Sequence, residues 1–537
     1  MTVEAARGPQ PADPIRDGLA RGWKVLDART LTHDATYEVD VAIVGTGAGG
    51  GMCAEILAQA GLAVVLVEEG PLASSSDFRM READAYPQLY QASAARKTAD
   101  KAINILQGRC VGGGTTVNWT SSFRTPARTL AHWAAAYGWQ GYGEADLAPW
   151  FERVERRLSV APWTIAPNAN NAALARGAAA LGVAHGAIRR NVSGCWNLGY
   201  CGMGCPTNAK QSMLVTTLPA ALDRGATLLT RTRAVRFVLA GERVSALECA
   251  AMDEAGVAPS TRRITVRARA FVAAGGAINT PALLLRSRVP DPHDVVGKRT
   301  FLHPTVVSAA LMPERVAPWA GAPQSVYSDH YLDTLPLDGP MGFKLEVPPV
   351  HPILAAITLT GHGAPHAALM RELPRLHVLI ALLRDGFHPD SPGGVVRLGS
   401  DGAPSLDYPL APYVWDGARR AFDAMAALQF AAGAKQVVPV HGSGTAFATP
   451  AQARAAIAAF DLRALATPIV SAHVMGGCAM GPDARQAAVA PDGRFHHLAN
   501  LYVADGSLFP TSIGANPQLS IYALAARLAT GWAAALV

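Results

Sequence analysis

The sequence predicts an α/β protein built around a Rossmann-like dinucleotide-binding domain, and three observations lead there. Residues 39–45 (VDVAIVG) form an almost unbroken apolar run, the pattern of a strand buried on both faces of a parallel sheet. The run leads straight into Gly45-Thr46-Gly47-Ala48-Gly49-Gly50, which satisfies G-x-G-x-x-G, and a helical pattern (GMCAEILAQAG) follows, closed by Gly61. A second apolar strand, LAVVLVEEG, then ends in Glu68.

Each part has a physical task. Gly45 makes the tight turn, Gly47 lets the backbone approach a pyrophosphate, and Gly50 packs the helix against the strand. The helix N-terminus supplies free N–H groups and a partial positive charge for the phosphate. Glu68, 18 residues after Gly50, stands where a ribose hydroxyl would sit and disfavours the 2′-phosphate of NADP.

The bulk numbers fit a folded globular protein. A length of 537 residues is a prior for roughly two to four domains. Half the residues are hydrophobic and 16% are charged, so a large interior is within reach. The net charge of +6 is small, and basic residues come in dispersed pairs such as Arg189-Arg190 and Arg262-Arg263. That dispersal argues against a nucleic-acid partner. No secretory signal is recognised and no window approaches about 18 consecutive apolar residues, so no transmembrane segment is expected. The nearest run, His377 to Leu383, has the length of a core helix. These features place the chain in the cytoplasm, with peripheral membrane association or export beside a partner left open.

Four further segments carry a resemblance. Residues 108–118 read GRCVGGGTTVN, and from Phe271 the chain reads FVAAGGAINTPALLLRS. Ser471 to Gly481 is SAHVMGGCAMG, and Asn500 to Ala529 is NLYVADGSLFPTSIGANPQLSIYALAARLA. With the nucleotide motif, these make the chain from about Val39 onward resemble the glucose–methanol–choline oxidoreductases. VGKRTFLHP, from Val296 to Pro304, fits the family's exit from the second signature.

The resemblance implies an FAD-binding domain plus a discontinuous α+β substrate domain. Residues 38–130, 215–305 and 463–537 would build the first and 131–214 and 306–462 the second, with 1–37 as an extension. FAD would lie against Gly112, Gly113 and Gly114, with Asn118 hydrogen-bonding near it. A hairpin around Val235 would offer a backbone contact to adenine, and Asp505 would reach the ribityl or phosphate region. His473 fits the catalytic base and Asn516 its partner. The chemistry suits them: His accepts the hydroxyl proton, Asn516 orients the substrate oxygen, and the flavin takes the hydride. Some members tether FAD through a His before the loop Asn; here that residue is Val117, so the FAD is expected to be non-covalent.

VGGGTTVNWTSSFRTP (Val111 to Pro126), YCGMGCPTNAKQSMLVTTLPAAL (Tyr200 to Leu222) and GFKLEVPPVHP (Gly342 to Pro352) look most like the long-chain alcohol oxidase branch. The implied substrate is a primary alcohol, aliphatic or aryl-aliphatic, of medium to long chain. Oxygen or another acceptor would reoxidise the flavin. Leu379, Ile380, Leu382 and Leu383 fit either an apolar pocket or ordinary core, and core is favoured by burial ranking. Glu346 fits a polar pocket group or a surface carboxylate equally.

Cys195, Cys201 and Cys205 are spaced C-x5-C-x3-C before Pro206. They fit a three-iron iron–sulfur cluster, and the spacing also resembles that in iron–sulfur subunits of FAD-dependent sugar dehydrogenases, which implies a sugar or polyol dehydrogenase with an electron-accepting partner subunit. A thiol pair or simple packing are the alternatives. Cys53, Cys110, Cys249 and Cys478 read as buried hydrophobes. PIRDGLARGWKVL, from Pro14, reads as one amphipathic helix making a cap or a weak membrane or partner contact. DARQAAVAPDGRFHH, near 483–497, reads as a surface hairpin. Two other readings stand beside alcohol oxidation: a hydroxynitrile lyase of the same fold, and a flavoprotein without catalysis.

Overall fold

The computed structural model describes residues 11–253, 255–442 and 444–537. Its architecture is α/β, organised by two large sheets. The first grows from the apolar run at 39–45. The strand Ala35–Val44 alternates in exposure at its start, and its last four residues are buried. It turns at Gly45 (φ +97°), where any Cβ would lie 2.3 Å from the Ala274 carbonyl oxygen. The helix Ala48–Gln59 follows, and the chain returns as the buried strand Val64–Val67 in parallel pairing with Val41–Val44.

The parallel set extends in both directions. Val65–Val67 pairs with Thr227–Thr230, which pairs with Lys24–Asp27 at the edge. On the other side the long strand Pro259–Ala273 runs parallel to Ala35–Val44 and to Leu501–Val503. A hairpin of Thr232–Ala240 and Arg243–Met252 completes eight strands, joined antiparallel through Arg243–Met252.

The extension from Pro14 is not one helix. It splits into the helix Pro14–Ala20 and the edge strand Lys24–Asp27. Asp13 caps the helix through the Ile15 and Arg16 amides and also accepts from the Ser74 and Ser76 hydroxyls. Gly22, at φ +94°, makes the break between the two elements.

The second sheet has nine strands. At its centre Thr305–Leu311 pairs antiparallel with Leu376–Leu383, followed by Phe343–Glu346 and Val326–Ser328. On the other side Ile469–Ser471 and Ile103–Ile105 pair in parallel. The run from His377 is therefore a strand, not a core helix. An apolar run of eight residues buried on both faces is as natural for a central strand, and periodicity alone cannot separate the two. The pleat splits the four residues read together: Leu379 and Leu383 enter the main core of this sheet, while Ile380 and Leu382 face a separate apolar cluster.

The C-terminal helix Gln518–Leu536 is, among the described residues, long and apolar enough by composition to cross a bilayer. Most of it is buried, and it packs against Ala48–Gln59 and Glu144–Arg157. The segment expected as a surface hairpin makes one internal bridge, Val489 to Phe495, and two more to Met480 and Tyr502, and Val489 and Phe495 are buried in the main hydrophobic core.

The closest backbone approach of the nucleotide motif is at Gly49. A Cβ there would fall 1.4 Å from the carbonyl oxygen of Ala504. Gly49→Ala is expected to destabilise the protein by at least about 3 kcal/mol, since backbone rather than a side chain must yield. Thermal unfolding checks this; an unchanged midpoint would mean the helix does not sit this close.

Candidate active site

One cavity of about 830 Å³ runs between the two sheets, and most of the residues singled out from the sequence meet on its walls. At one end lie Gly45, Gly47 and Ala48 at the helix N-terminus, with Glu68 from the end of Val64–Val67. Glu68 is buried. Its Oε2 accepts from the Thr46 amide (3.2 Å) and hydroxyl (2.5 Å), and its Oε1 accepts from the Gly70 amide (2.9 Å). Burial raises its pKa against these stabilising hydrogen bonds. Gly50 lies behind the wall, where a Cβ would be 2.0 Å from the Gly45 carbonyl oxygen.

The second glycine loop folds directly onto the first. The Gly112 amide donates to the Thr46 hydroxyl (3.0 Å), and a Cβ on Gly113 would lie 2.8 Å from the Gly47 Cα. Gly113 and Asn118 line the cavity, and Gly112 backs it. The Asn118 side-chain amide donates to Gln518 Oε1 (2.7 Å), and its Oδ1 accepts from the Thr120 amide (3.2 Å). Val235 lines the same cavity at a β-bulge. The pairing register jumps from Ala234 to Arg236, so residue 235 drops out of the ladder. Asp505 is buried on the cavity wall and accepts from the Gly276 amide, the Thr280 hydroxyl and the Ser507 amide. Two backbone loops too close for side chains, an open helix N-terminus and a buried acid form a cradle that fits FAD.

The far part of the cavity is apolar. Val307, Val378, Ile380 and Leu382 line it from the second sheet, with Leu354 and Leu359 from the helix Pro352–Thr358 and its end. His473 and Asn516 line the same cavity. His473 follows the strand Ile469–Ser471, and Asn516 precedes the helix Gln518–Leu536. Asn516 Nδ2 donates to His473 Nε2 (3.4 Å) and to Glu346 Oε2 (3.2 Å). The surrounding protein, and secondarily the Lys344 ammonium, push the His473 pKa down to about 4, so its ring is neutral at pH 7.

Glu346 is neither a surface carboxylate nor part of the cavity wall. It is fully buried behind Asn516, where Gln324 Nε2 also donates to its Oε2 (2.5 Å). Its Oε1 has no partner, and burial pushes its pKa up to about 7.

Cys195, Cys201 and Cys205 do not behave as a ligand set. Among the described residues no three His, Cys, Asp or Glu side chains converge to hold a metal. The thiols are free and each is engaged locally: Cys195 accepts from the Asn197 amide, Cys201 from Arg190 Nη2, and Cys205 from the Lys210 amide. The spacing suggested a cluster, but hydrogen bonding within a tight loop accounts for it. The other four cysteines are buried.

Two supporting residues were not singled out from the sequence. Lys210, 2% exposed, donates from Nζ to the carbonyls of Thr116, Asn118 and Cys201 at 2.8, 2.6 and 2.6 Å. It ties the cysteine loop to the second glycine loop. His303, at the end of TFLH, contacts His473 Nδ1 through its own Nδ1 (3.2 Å). A histidine before Pro304 and an apolar strand was the only signal, and such a residue is more often structural.

Residues 86–305 and 389–525 match the N-terminal and C-terminal family models described as GMC oxidoreductase. The chain is similar to a GMC-type oxidoreductase of Mycobacterium tuberculosis, 31% identical over 91% of this chain and 75% of that protein. It is 28% identical to the long-chain-alcohol oxidase FAO4B of Arabidopsis thaliana, over 92% of this chain and 67% of the relative. Among solved structures it resembles pyridoxine 4-oxidase from Mesorbium loti, with a TM-score of 0.67 and 18% identity, over 92% of this chain and 99% of that one.

Lys210→Met strands one buried and two half-buried carbonyls. Loss of roughly 3 kcal/mol or more is expected, given the strength of hydrogen bonds to charged groups and the cost of unsatisfied ones. Thermal unfolding and the flavin-to-protein absorbance ratio should both fall; if neither moves, Lys210 is not the tie between these loops.

Proposed function

The chain belongs to the GMC oxidoreductase family, as an FAD-dependent oxidoreductase acting on CH–OH donors, and we propose that its donor is a primary alcohol carrying a medium-to-long aliphatic or aryl-aliphatic chain. The observation that carries this reading is the continuity of one cavity from the glycine loops, past His473 and Asn516, to the apolar walls of Val307, Ile380 and Leu382. A long alkyl chain buries its surface there at roughly 0.8 kcal/mol per methylene. The relative FAO4B, by its name a long-chain-alcohol oxidase, supports the same class and favours oxygen as acceptor.

FAD, held non-covalently with Val117 beside Asn118, supplies the two-electron acceptor for the carbinol hydrogen. His473 Nε2 takes the hydroxyl proton. Neutral at pH 7, it holds a free lone pair that Asn516 Nδ2 approaches in the resting site. Substrate oxygen replaces one of these contacts and receives the amide hydrogen, which fixes the carbinol carbon in an attack position. Glu346, held by Gln324, orients Asn516 from behind. The 38–130, 215–305 and 463–537 segments serve the cofactor in this reading, and 131–214 with 306–462 serve the substrate.

The sugar or polyol dehydrogenase reading needs an iron–sulfur relay, and no side-chain group among the described residues supports one. A hydroxynitrile lyase would leave the flavin oxidised in the presence of alcohol.

Anaerobic addition of a medium-chain primary alcohol is expected to bleach the flavin bands, and air to restore them. His473→Ala should slow bleaching roughly 10²- to 10⁴-fold. Because His473 must be neutral, kcat/KM is expected to stay level below pH 7 and to fall as the pH approaches about 4. Acid precipitation should leave the flavin in the supernatant. A flavin that no alcohol bleaches would remove the substrate class.

A further inference from the structure

His303 combines features that a packing histidine does not need. It is completely buried, yet its backbone sits at φ +50°, a left-handed conformation that is strained for a histidine. Neighbours hold it there. Asp385 accepts from the Leu302 amide through Oδ2 (3.0 Å) and from the His303 amide through Oδ1 (3.2 Å). Tyr408 donates to Asp385 Oδ2 (2.5 Å), and the Ser512 hydroxyl donates to the Asp385 carbonyl (2.7 Å). Ser471, two residues before His473, donates its hydroxyl to the Leu302 carbonyl. The same buried lattice thus grips the backbone beside both histidines.

The side chain has one polar contact, His473 Nδ1, while its Nε2 is buried without a partner. Proton placement follows by elimination. An amide nitrogen only donates, so Asn516 Nδ2 at 3.4 Å requires an unprotonated Nε2 on His473. The neutral His473 ring then carries its proton on Nδ1. Facing that Nδ1–H, His303 Nδ1 accepts, and His303 is protonated on Nε2.

We propose that His303 is a positioning residue for alcohol oxidation: its Nδ1 accepts from His473 Nδ1–H and holds His473 in the tautomer whose Nε2 is free for the substrate proton. The inference rests on His473 being the base. In the step, the substrate O–H breaks and an Nε2–H forms on His473, while the carbinol hydrogen leaves with its electron pair to FAD. His473 is then a cation donating from both nitrogens, and His303, still neutral, is the acceptor left for the Nδ1–H. Protonation of His303 would remove that acceptor. Burial, together with His473, Lys344 and Arg384, holds its pKa well below the ordinary histidine value.

Three substitutions test this, since Gly, Asn and Asp all tolerate a left-handed backbone. His303→Gly removes the acceptor, and anaerobic flavin reduction should slow roughly 10²-fold with little change in KM. His303→Asn restores an acceptor, and its rate should return to within about threefold of the parent, on the same reasoning. A merely structural role would leave both variants alike, and equal rates would overturn the proposal. If the glycine variant fails to retain FAD, His303→Asp decides. A carboxylate facing His473 Nδ1–H stabilises the His473 cation, so the acid limb of kcat/KM should rise by about one pH unit or more. The other charged groups near this position, Lys344, Arg384 and Asp385, with Glu346 beyond Asn516, are the same in parent and variant. An unmoved acid limb would overturn the proposal. His473→Ala separates the two readings: if it reduces flavin at the parent rate, the base assignment fails. If it is slow while His303→Gly is fast, the His303 proposal alone fails.

Discussion

The hydrogen-bonded contact between Glu68 and Thr46 is the interaction on which the cofactor side depends. One carboxylate oxygen collects the Thr46 amide and hydroxyl, the other collects the Gly70 amide, and the Thr46 hydroxyl accepts in turn from Gly112. Two glycine loops far apart in sequence are thereby fixed to the end of one buried strand. The glycines permit this closeness, because any side chain at Gly113 would collide with the backbone of Gly47. What remains between the loops and the second sheet is an open cradle with amide groups along it.

The second sheet places a set of titratable groups on the opposite side. His303 precedes the strand Thr305–Leu311, Asp385 follows Leu376–Leu383, Glu346 ends Phe343–Glu346, and His473 follows Ile469–Ser471. Residues at the ends of paired strands have little freedom, because the ladder fixes the backbone on one side. Four titratable groups are thus placed by main-chain hydrogen bonding rather than by mobile loops, as a preorganised site requires.

The first sheet was legible because its signals are local. An apolar run, a glycine turn, a helix and a terminal acid fall within about thirty residues, and each has one physical reading. The approach of His473 to Asn516 was legible only through the resemblance, since 43 positions separate them. What the sequence hid depends on non-local hydrogen bonding. Nothing local announces that His303 takes a left-handed backbone, because Asp385 imposes it from 82 residues away. Nothing local marks Lys210 as buried, and three carbonyls from two loops make it an internal strut. The cysteine spacing misled because closeness in sequence does not make thiols converge, and each of the three has its own hydrogen-bond partner. The run from His377 misled because burial on both faces erases the periodicity that separates strand from helix.

The pleat of Leu376–Leu383 divides labour between neighbouring positions. Leu379 and Leu383 belong to the interior, while Ile380 and Leu382 belong to the chamber wall. Changes in the shape of the chamber can therefore fall on alternate residues of one strand without disturbing the packing that keeps the strand in place. The chamber-facing positions are free to vary in size, while the interior positions are held by the close packing of the core. The strand is in that sense built to be evolvable, with novelty and integrity written on opposite faces.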